Sequence, residues 1–383
     1  MPTAFDVRAL ESHVRIELDD SLSSAERESI SAQWADLVHD GIGEPDRVLR
    51  AGVRADAEPV DGALTVSANT AMALAQRITS QVTLAAIGGL RGEALMLHAA
   101  AVALDDGRVI GFIGPSGRGK TTAAHELGRI YGYVTDETLA LRSDGSVIAY
   151  PKPLSIGAKS EVKATEPPSA LGLQAMPSVD LHLAALVLLD RRPDVVEPFV
   201  EAVPLLEALP ELVAQSSYLS ALDRPLRTLI SLIRSTGGVR RVVYSEAATI
   251  PALVGAVLDS VAEAEPVLID VSNLSQRDCD CGGKVIEDTV GRAATDRPGA
   301  YWRGTYVDAM LVDDALTVLT SGRLTVLVGV GPALWLAADG LLVDELTDAA
   351  RRELPPPPDG VDVDGVISAA LSDLETAGLL VRT

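Results

Sequence analysis

The sequence predicts an α/β protein whose main sheet is mixed, followed by a small α+β unit. Three observations carry that expectation. Hairpin patterns lie on both sides of a glycine-rich loop that opens a helix. The run Leu183 to Leu189 is unbroken apolar, as in a strand buried on both faces, and helical periods take over after it. Finally, Asp270 to Gly299 is polar and without sustained period, which sets off the last eighty or so residues.

The elements follow in order. Val14 to Leu18 alternates, and Ser24 to Val38 reads as a helix beginning near Ser24, Glu26 and Arg27, with Ile30, Trp34, Leu37 and Val38 on one face. Ala94 to Leu104 and Val109 to Ile113 read as strands joined by the turn Asp105-Asp106-Gly107. A helix from about Gly119 to Tyr131 is expected to stop at Gly132. Tyr133 to Thr135 is a short strand, and Ser143-Asp144-Gly145 turns a second hairpin. Leu205 to Val213 and Leu226 to Ile233 read as helices, Val239 to Tyr244 as a strand, and Pro251 as the first residue of a helix reaching about Val261. Beyond the polar stretch come strands at Thr305 to Val312, Ala315 to Thr320 and Leu324 to Val328, with a turn at Ser321-Gly322. Helices at Pro332 to Ala338, Val343 to Arg352 and Val363 to Ala377 follow, the last closed by Gly378. The expected boundaries are a scaffold part at 1–90, a P-loop core at 91–268, a linker at 269–300 and a C-terminal domain at 301–383.

A chain of 383 residues exceeds the size at which single cores stop growing, and 47% hydrophobic with 22% charged residues is the composition of a folded globular protein. The balance of 32 Lys+Arg against 54 Asp+Glu gives a net charge of −22, which disfavours nucleic acid and anionic membranes as partners. A pocket for one nucleotide remains open, since it needs only a few convergent donors. Cys279 and Cys281 are too close for a disulfide framework, and two thiols alone make a poor zinc site. No secretory pattern opens the chain, and the apolar stretch Leu324 to Ala338 is shorter than the roughly 20 residues of a spanning helix and broken by Gly329, Gly331 and Pro332. A soluble, cytoplasmic protein is expected. Its oligomeric state stays open, a homo-oligomer included.

One motif carries chemistry. Gly114-Pro115-Ser116-Gly117-Arg118-Gly119-Lys120-Thr121 fits G-x-x-x-x-G-K-[ST], between a predicted strand and a predicted helix. The glycines let successive N–H groups turn inward, the helix that follows aims its positive end at an anion, Lys120 reaches the terminal phosphates, and Thr121 can ligate magnesium. Thr122 completes the segment. The loop does not name the reaction, because switches, transporters and kinases share it. Sixteen residues after Lys120, Asp136-Glu137 ends a short strand, where a carboxylate can hold magnesium or take a proton from an attacking hydroxyl. Asp190, at the end of the apolar strand, competes for the metal-side role. His98 lies on the strand before the first hairpin, where a core histidine is the ordinary alternative to a functional one.

Taken together, Leu97-His98-Ala99-Ala100, Gly114 to Thr122 and Val134-Thr135-Asp136-Glu137 resemble in order and spacing the HPr kinase/phosphorylase superfamily, whose fold is related to PEP carboxykinase. The likeness is clearest over residues 90 to 150, and Tyr150-Pro151-Lys152-Pro153 and Asp190-Arg191 extend it weakly. It implies an ATP- and magnesium-dependent kinase with Asp136 as base and metal-side acid, Glu137 as its companion and His98 on the phosphate side. Two departures stand out. The acids are Asp-Glu where the bifunctional bacterial enzymes carry Asp-Asp, and the glycine-rich signature of phosphorolysis is missing, so HPr is a poor substrate choice.

Residues Asp314 to Val381 resemble the PqqD-like fold, a small winged-helix-like module that binds leader segments of ribosomally made peptides. Val330 to Leu336, Val343 to Leu346 and Leu371 to Leu380 carry that likeness. It implies a peptide substrate docked by strand addition, and hence a Ser/Thr kinase acting on a natural-product precursor. A small-molecule or amino-acid hydroxyl kinase and a nucleotide-gated ATPase using Asp190 remain alternatives.

Overall fold

The computed structural model describes residues 3–39, 43–54, 64–115, 117–156, 164–259, 266–272, 277–278, 284–285, 297–358 and 360–383. Ser116, Cys279, Cys281 and most of the expected linker lie outside the described residues. The chain forms two compact units. One comprises residues 1–204, 215–217 and 231–262, the other 205–214, 218–230 and 263–383. The second therefore draws on two segments inside the range that the sequence assigns to the P-loop core.

The first unit opens with strands β1 (Ala4–Ala9), β2 (Ser12–Leu18), β3 (Arg47–Val53) and β4 (Leu64–Ala68), hydrogen-bonded in that order. Between β2 and β3 runs α1 (Ser24–Ala32), capped by Ser23 through a box with Glu26, so the cap stands one residue before the expected start. The helix is shorter than the sequence pattern suggests; Trp34 and Leu37 still bury in the turns beyond it. Helix α2 (Ala71–Gly89), capped by Thr70, buries Leu74, Ile78, Val82 and Ala86 in one core with Val14, Ile16, Leu49 and Trp34. That core continues into Met96, Ala140 and Tyr150, which sit on or beside the strands of the main sheet.

The main sheet uses β5 (Leu95–Ala103) and β6 (Arg108–Ile113), then, after helix α3 (Lys120–Gly128), β7 (Gly132–Thr135), β8 (Thr138–Leu141) and β9 (Val147–Ile148). A small antiparallel pair, β10 (Leu154–Ile156) with β11 (Ala164–Glu166), precedes β12 (His182–Arg191) and β13 (Phe199–Val203). After helix α4 (Leu205–Ala214) come β14 (Ser216–Ser217), α5 (Pro225–Ser235), β15 (Val239–Tyr244) and α6 (Val254–Leu258). Strand order is β13-β15-β12-β6-β5-β8-β9, with β7 and β14 also pairing to β5. The sheet is mixed, as expected: β6, β12 and β15 run parallel, while β5 and β13 are antiparallel to their neighbours. Strand β12, flanked on both sides, is the continuous apolar run.

Two glycine and proline readings need correction. Helix α3 ends at Gly128, and Gly132 instead opens β7, where a Cβ would meet the Met176 Cα and Pro177 Cδ atoms at 3.0 Å. Pro251 lies inside a 3-10 helix, Ala247–Leu253, that precedes α6.

In the second unit, β16 (Leu268–Asp270) is followed by the two-residue pair β17 (Arg277–Asp278) and β18 (Lys284–Val285), then by β19 (Tyr301–Arg303). Strands β20 (Asp308–Val312), β21 (Ala315–Leu319) and β22 (Leu324–Leu327) join β16 in the antiparallel order β16-β20-β21-β22. Helices α7 (Gly331–Ala337), α8 (Val343–Glu353) and α9 (Val363–Thr376), with β23 (Asp339–Leu341) and β24 (Leu380–Arg382), complete it. Its core gathers Tyr306, Leu316, Trp335, Leu346, Ile367 and Leu371. Helix α4 packs against β22. Among the described residues no helix is long and apolar enough to cross a membrane.

Candidate phosphate-binding and proton-accepting site

The glycine-rich loop leaves β6 and enters α3 through two residues that only glycine adopts cheaply. Gly117 has φ +82° and Gly119 φ +93°. At Gly119 the need is also steric, since a Cβ would come within 2.9 Å of the Tyr244 hydroxyl oxygen. That hydroxyl donates to the Arg118 carbonyl at 2.8 Å and ties the loop to β15. Gly119 is the N-cap of α3 and supplies no side-chain acceptor, in contrast to Ser23 and Thr70 at α1 and α2. The first N–H groups of α3 are thus left for an anion, the role the motif requires. Thr121 and Thr122 are exposed on this first turn.

Lys120 is buried, and its ammonium donates to the carbonyls of Gly114 at 2.5 Å and Pro115 at 3.2 Å. Burial lowers its proton affinity, while the Asp136 and Glu137 carboxylates act in the opposite sense. Those acids therefore share an electrostatic neighbourhood with the loop lysine. Their placement follows from pairing. Strand β7 lies antiparallel to β5, with Ala101 opposite Thr135, and the Ala99 N–H donates to the Glu137 carbonyl at 3.1 Å. The Thr135 hydroxyl oxygen accepts from the N–H groups of Glu137 and Thr138, each at 3.2 Å, which fixes the turn between β7 and β8.

Asp136 is only 6% exposed. Its Oδ1 accepts from the Tyr133 hydroxyl at 3.1 Å and lies 2.9 Å from the Lys152 ammonium. Lys152, itself buried, also reaches Glu137 Oε2 at 3.2 Å and the Pro153 carbonyl at 3.2 Å. Burial works against its charge, but the two carboxylates outweigh it and hold the ammonium well above the usual lysine range. Tyr133 is fully enclosed, and burial and then Asp136 push its hydroxyl well up, so it remains a donor. His98 stands opposite Thr138 on β5, and its N–H donates to the Gln215 carbonyl at 2.7 Å. Burial and then Lys120 lower its imidazole below the ordinary histidine value, against the pull of Glu137 and Asp136. His98 is therefore a mainly neutral ring at neutral pH, in the same field as the acids and Lys120.

Asp190 ends β12, beside the strand that leads into the loop. Its Oδ2 is gripped by Arg192, at 2.8 Å from Nε and 2.7 Å from Nη2, and Arg118 approaches Oδ1 to 4.0 Å. Of the residues singled out from sequence, Lys120, Asp136, Glu137 and His98 come together, and Asp190 is committed to arginine. Lys152 stands in the sequence only as a weak likeness. Its signal is that it is one of five lysines in the chain and lies between two prolines, which fix the backbone that buries it.

The groups a magnesium–nucleoside triphosphate would need are present: two glycines in the left-handed region, an N-terminal helix end without a side-chain cap, a loop lysine, a hydroxyl at Thr121 and a carboxylate at Asp136.

No family model matches the chain, and no curated protein matches it. Among solved structures, the HPr(Ser) kinase/phosphatase from Coxiella burnetii is similar at 12% identity, covering 42% of this chain and 92% of that one, with a TM-score of 0.23. The chain is a mixed α/β protein.

Proposed function

We propose that the chain is an ATP- and magnesium-dependent phosphotransferase that moves a γ-phosphoryl group to an alcohol. The observation that carries this reading is that the loop and the acids meet at Ala99 of β5: it pairs with Ile113, the last residue of β6 before the loop, and its N–H donates to the Glu137 carbonyl, while Asp136 is enclosed and anchored and Asp190 is bound up with Arg192. Lys120 and the loop amides bind the phosphates and orient the terminal one. Thr121 would hold a magnesium ion, which would supply charge neutralisation on the phosphate oxygens. Asp136 orients the acceptor hydroxyl and takes its proton, and neutral His98 contributes polarity on the phosphate side without adding charge. The buried surroundings of these groups strengthen each electrostatic contact relative to water.

For the acceptor we propose a Ser or Thr hydroxyl in a ribosomally made peptide, presented by the C-terminal unit. This part rests on the resemblance of Asp314 to Val381 to the PqqD-like fold. The test incubates the full chain with ATP, magnesium and Ser/Thr peptides or free hydroxy amino acids, and reads products by mass spectrometry. A gain of one phosphate on peptide alone supports the peptide reading, and a gain on the free amino acid alone shifts the assignment to a small-molecule kinase. ATP hydrolysis without any phosphorylated acceptor, lost in Asp190→Asn, would instead make the chain a nucleotide-gated ATPase. The observation favouring that second reading is the place of Asp190 on the strand parallel and adjacent to the one entering the loop.

A further inference from the structure

Asp136 is held by one oxygen only. Oδ1 receives both the Tyr133 hydroxyl at 3.1 Å and the Lys152 ammonium at 2.9 Å, whereas among the described residues Oδ2 has no hydrogen-bond donor. All three N–H bonds of Lys152 have acceptors at hand, in Asp136, Glu137 and the Pro153 carbonyl, so this ammonium has no proton to spare for a phosphate. Its work is on the acids. We infer that Lys152 and Tyr133 are positioning residues that pin Asp136 through Oδ1 and so define Oδ2 as the atom facing the acceptor.

This inference rests on the phosphotransferase reading. In the transfer step the acceptor oxygen forms a bond to the γ-phosphorus, the bond from that phosphorus to the β–γ bridging oxygen breaks, and the hydroxyl proton passes to Asp136 Oδ2, leaving ADP. A carboxylate free to rotate presents either oxygen and spends much of its time misaligned, and small misplacements are costly in such steps. Lys152 has a second consequence. With Lys120 it balances Asp136 and Glu137, so the acids do not confront a polyanionic nucleotide with uncompensated charge. Tyr133, being uncharged, contributes only to the aim of the carboxylate. The two anchors should therefore separate in kinetics.

The experiment compares full-length Tyr133→Phe, Lys152→Met and Lys152→Arg with the parent, using ATP and whichever acceptor the parent phosphorylates. Circular dichroism and thermal unfolding establish the folded fraction used to normalise rates. Tyr133→Phe should lower kcat by about 5–20-fold with KM for ATP within about twofold. Lys152→Met should lower kcat by about 100-fold or more and raise KM for ATP by about 5–10-fold, with part of the kcat loss recovered in Lys152→Arg. Parent-like kcat in folded Lys152→Met overturns the inference, as does a loss in Tyr133→Phe that lies in KM alone. If Lys152→Met does not fold, Tyr133→Phe decides by the same kcat criterion. A parent that phosphorylates no acceptor overturns the phosphotransferase reading itself and this inference with it, an outcome distinct from an active parent with an equally active Lys152→Met.

Discussion

Each unit of the molecule encloses an aspartate, and the two are treated in opposite ways. Asp136 in the first unit is 6% exposed and meets a lysine ammonium and a tyrosine hydroxyl. Asp308 in the second is 3% exposed and accepts the Leu226 N–H at 2.9 Å, at the start of α5, with Asp270 as a charged neighbour. Asp270 has its own partners, Arg224 at 3.2 Å and Ser272, and among the described residues no cation forms an ion pair with Asp308, which Arg224 reaches only through its field. Burial pushes the Asp308 carboxyl up to about 6; the Leu226 N–H opposes that and Asp270 adds to it. Isolation of a carboxylate is thus a structural matter at Asp308, where it caps a helix. Beside the glycine-rich loop the fold supplies a dedicated cation, which is what a site needs if a carboxylate must stay in place next to phosphates.

The comparison breaks most readily at the loop. Lys120→Ala is expected to cut phosphotransfer by about 1,000-fold, read as labelled phosphate on the acceptor, with the unfolding temperature little changed. Gly119→Ala tests the cradle itself. With φ at +93° and the Tyr244 hydroxyl 2.9 Å from the new Cβ, it should weaken binding of a non-hydrolysable ATP analogue by about 10-fold or more, measured by calorimetry.

Asp308 sharpens the other side. Its folded value, about 6, exceeds the unfolded reference of 3.8, so the folded state holds the proton more tightly and the native form is penalised as pH rises through about 6. Asp308→Asn should therefore raise unfolding stability on the order of 2 kcal/mol at pH 8 and leave it nearly unchanged at pH 4, with transfer activity intact. Equal effects at both pH values would show that the carboxyl is not shifted. The smallest change is expected at Asp190→Asn, where transfer should stay within about threefold of the parent because that carboxylate already belongs to Arg192.

Much of this arrangement is legible in the chain, for local reasons. Gly117, Gly119 and Lys120 are readable because the backbone conformation and the phosphate chemistry admit few other residues. The hairpins at Asp106-Gly107 and Asp144-Gly145, and the strands and helices after Gly304, follow from turn chemistry and hydrophobic period. What escaped is long-range. Lys152 reaches Asp136 through the return of the chain along β8 and β9, and Asp308 lies 82 positions from the N–H it accepts. Gly132 looks like a helix stop, yet its reason is the close approach of Met176 and Pro177. An amphipathic helix such as α4 shows in sequence that one face is buried, but not that β22 buries it. For the same reason a truncation at residue 300 removes β20 to β22 from the segments 205–214 and 218–230 that cluster with them, so point substitutions in the full chain are the cleaner tests.

The most direct test of shared purpose between loop and acid is Asp136→Asn in the full-length chain, followed by nucleotide titration and acceptor phosphorylation on the same preparation. The amide retains the size of the side chain and can still accept from Tyr133, but it no longer takes a proton. Binding of the ATP analogue within about fivefold of the parent, together with transfer reduced by about 100-fold or more, is the expected result. Transfer within about twofold of the parent in the folded variant would contradict it.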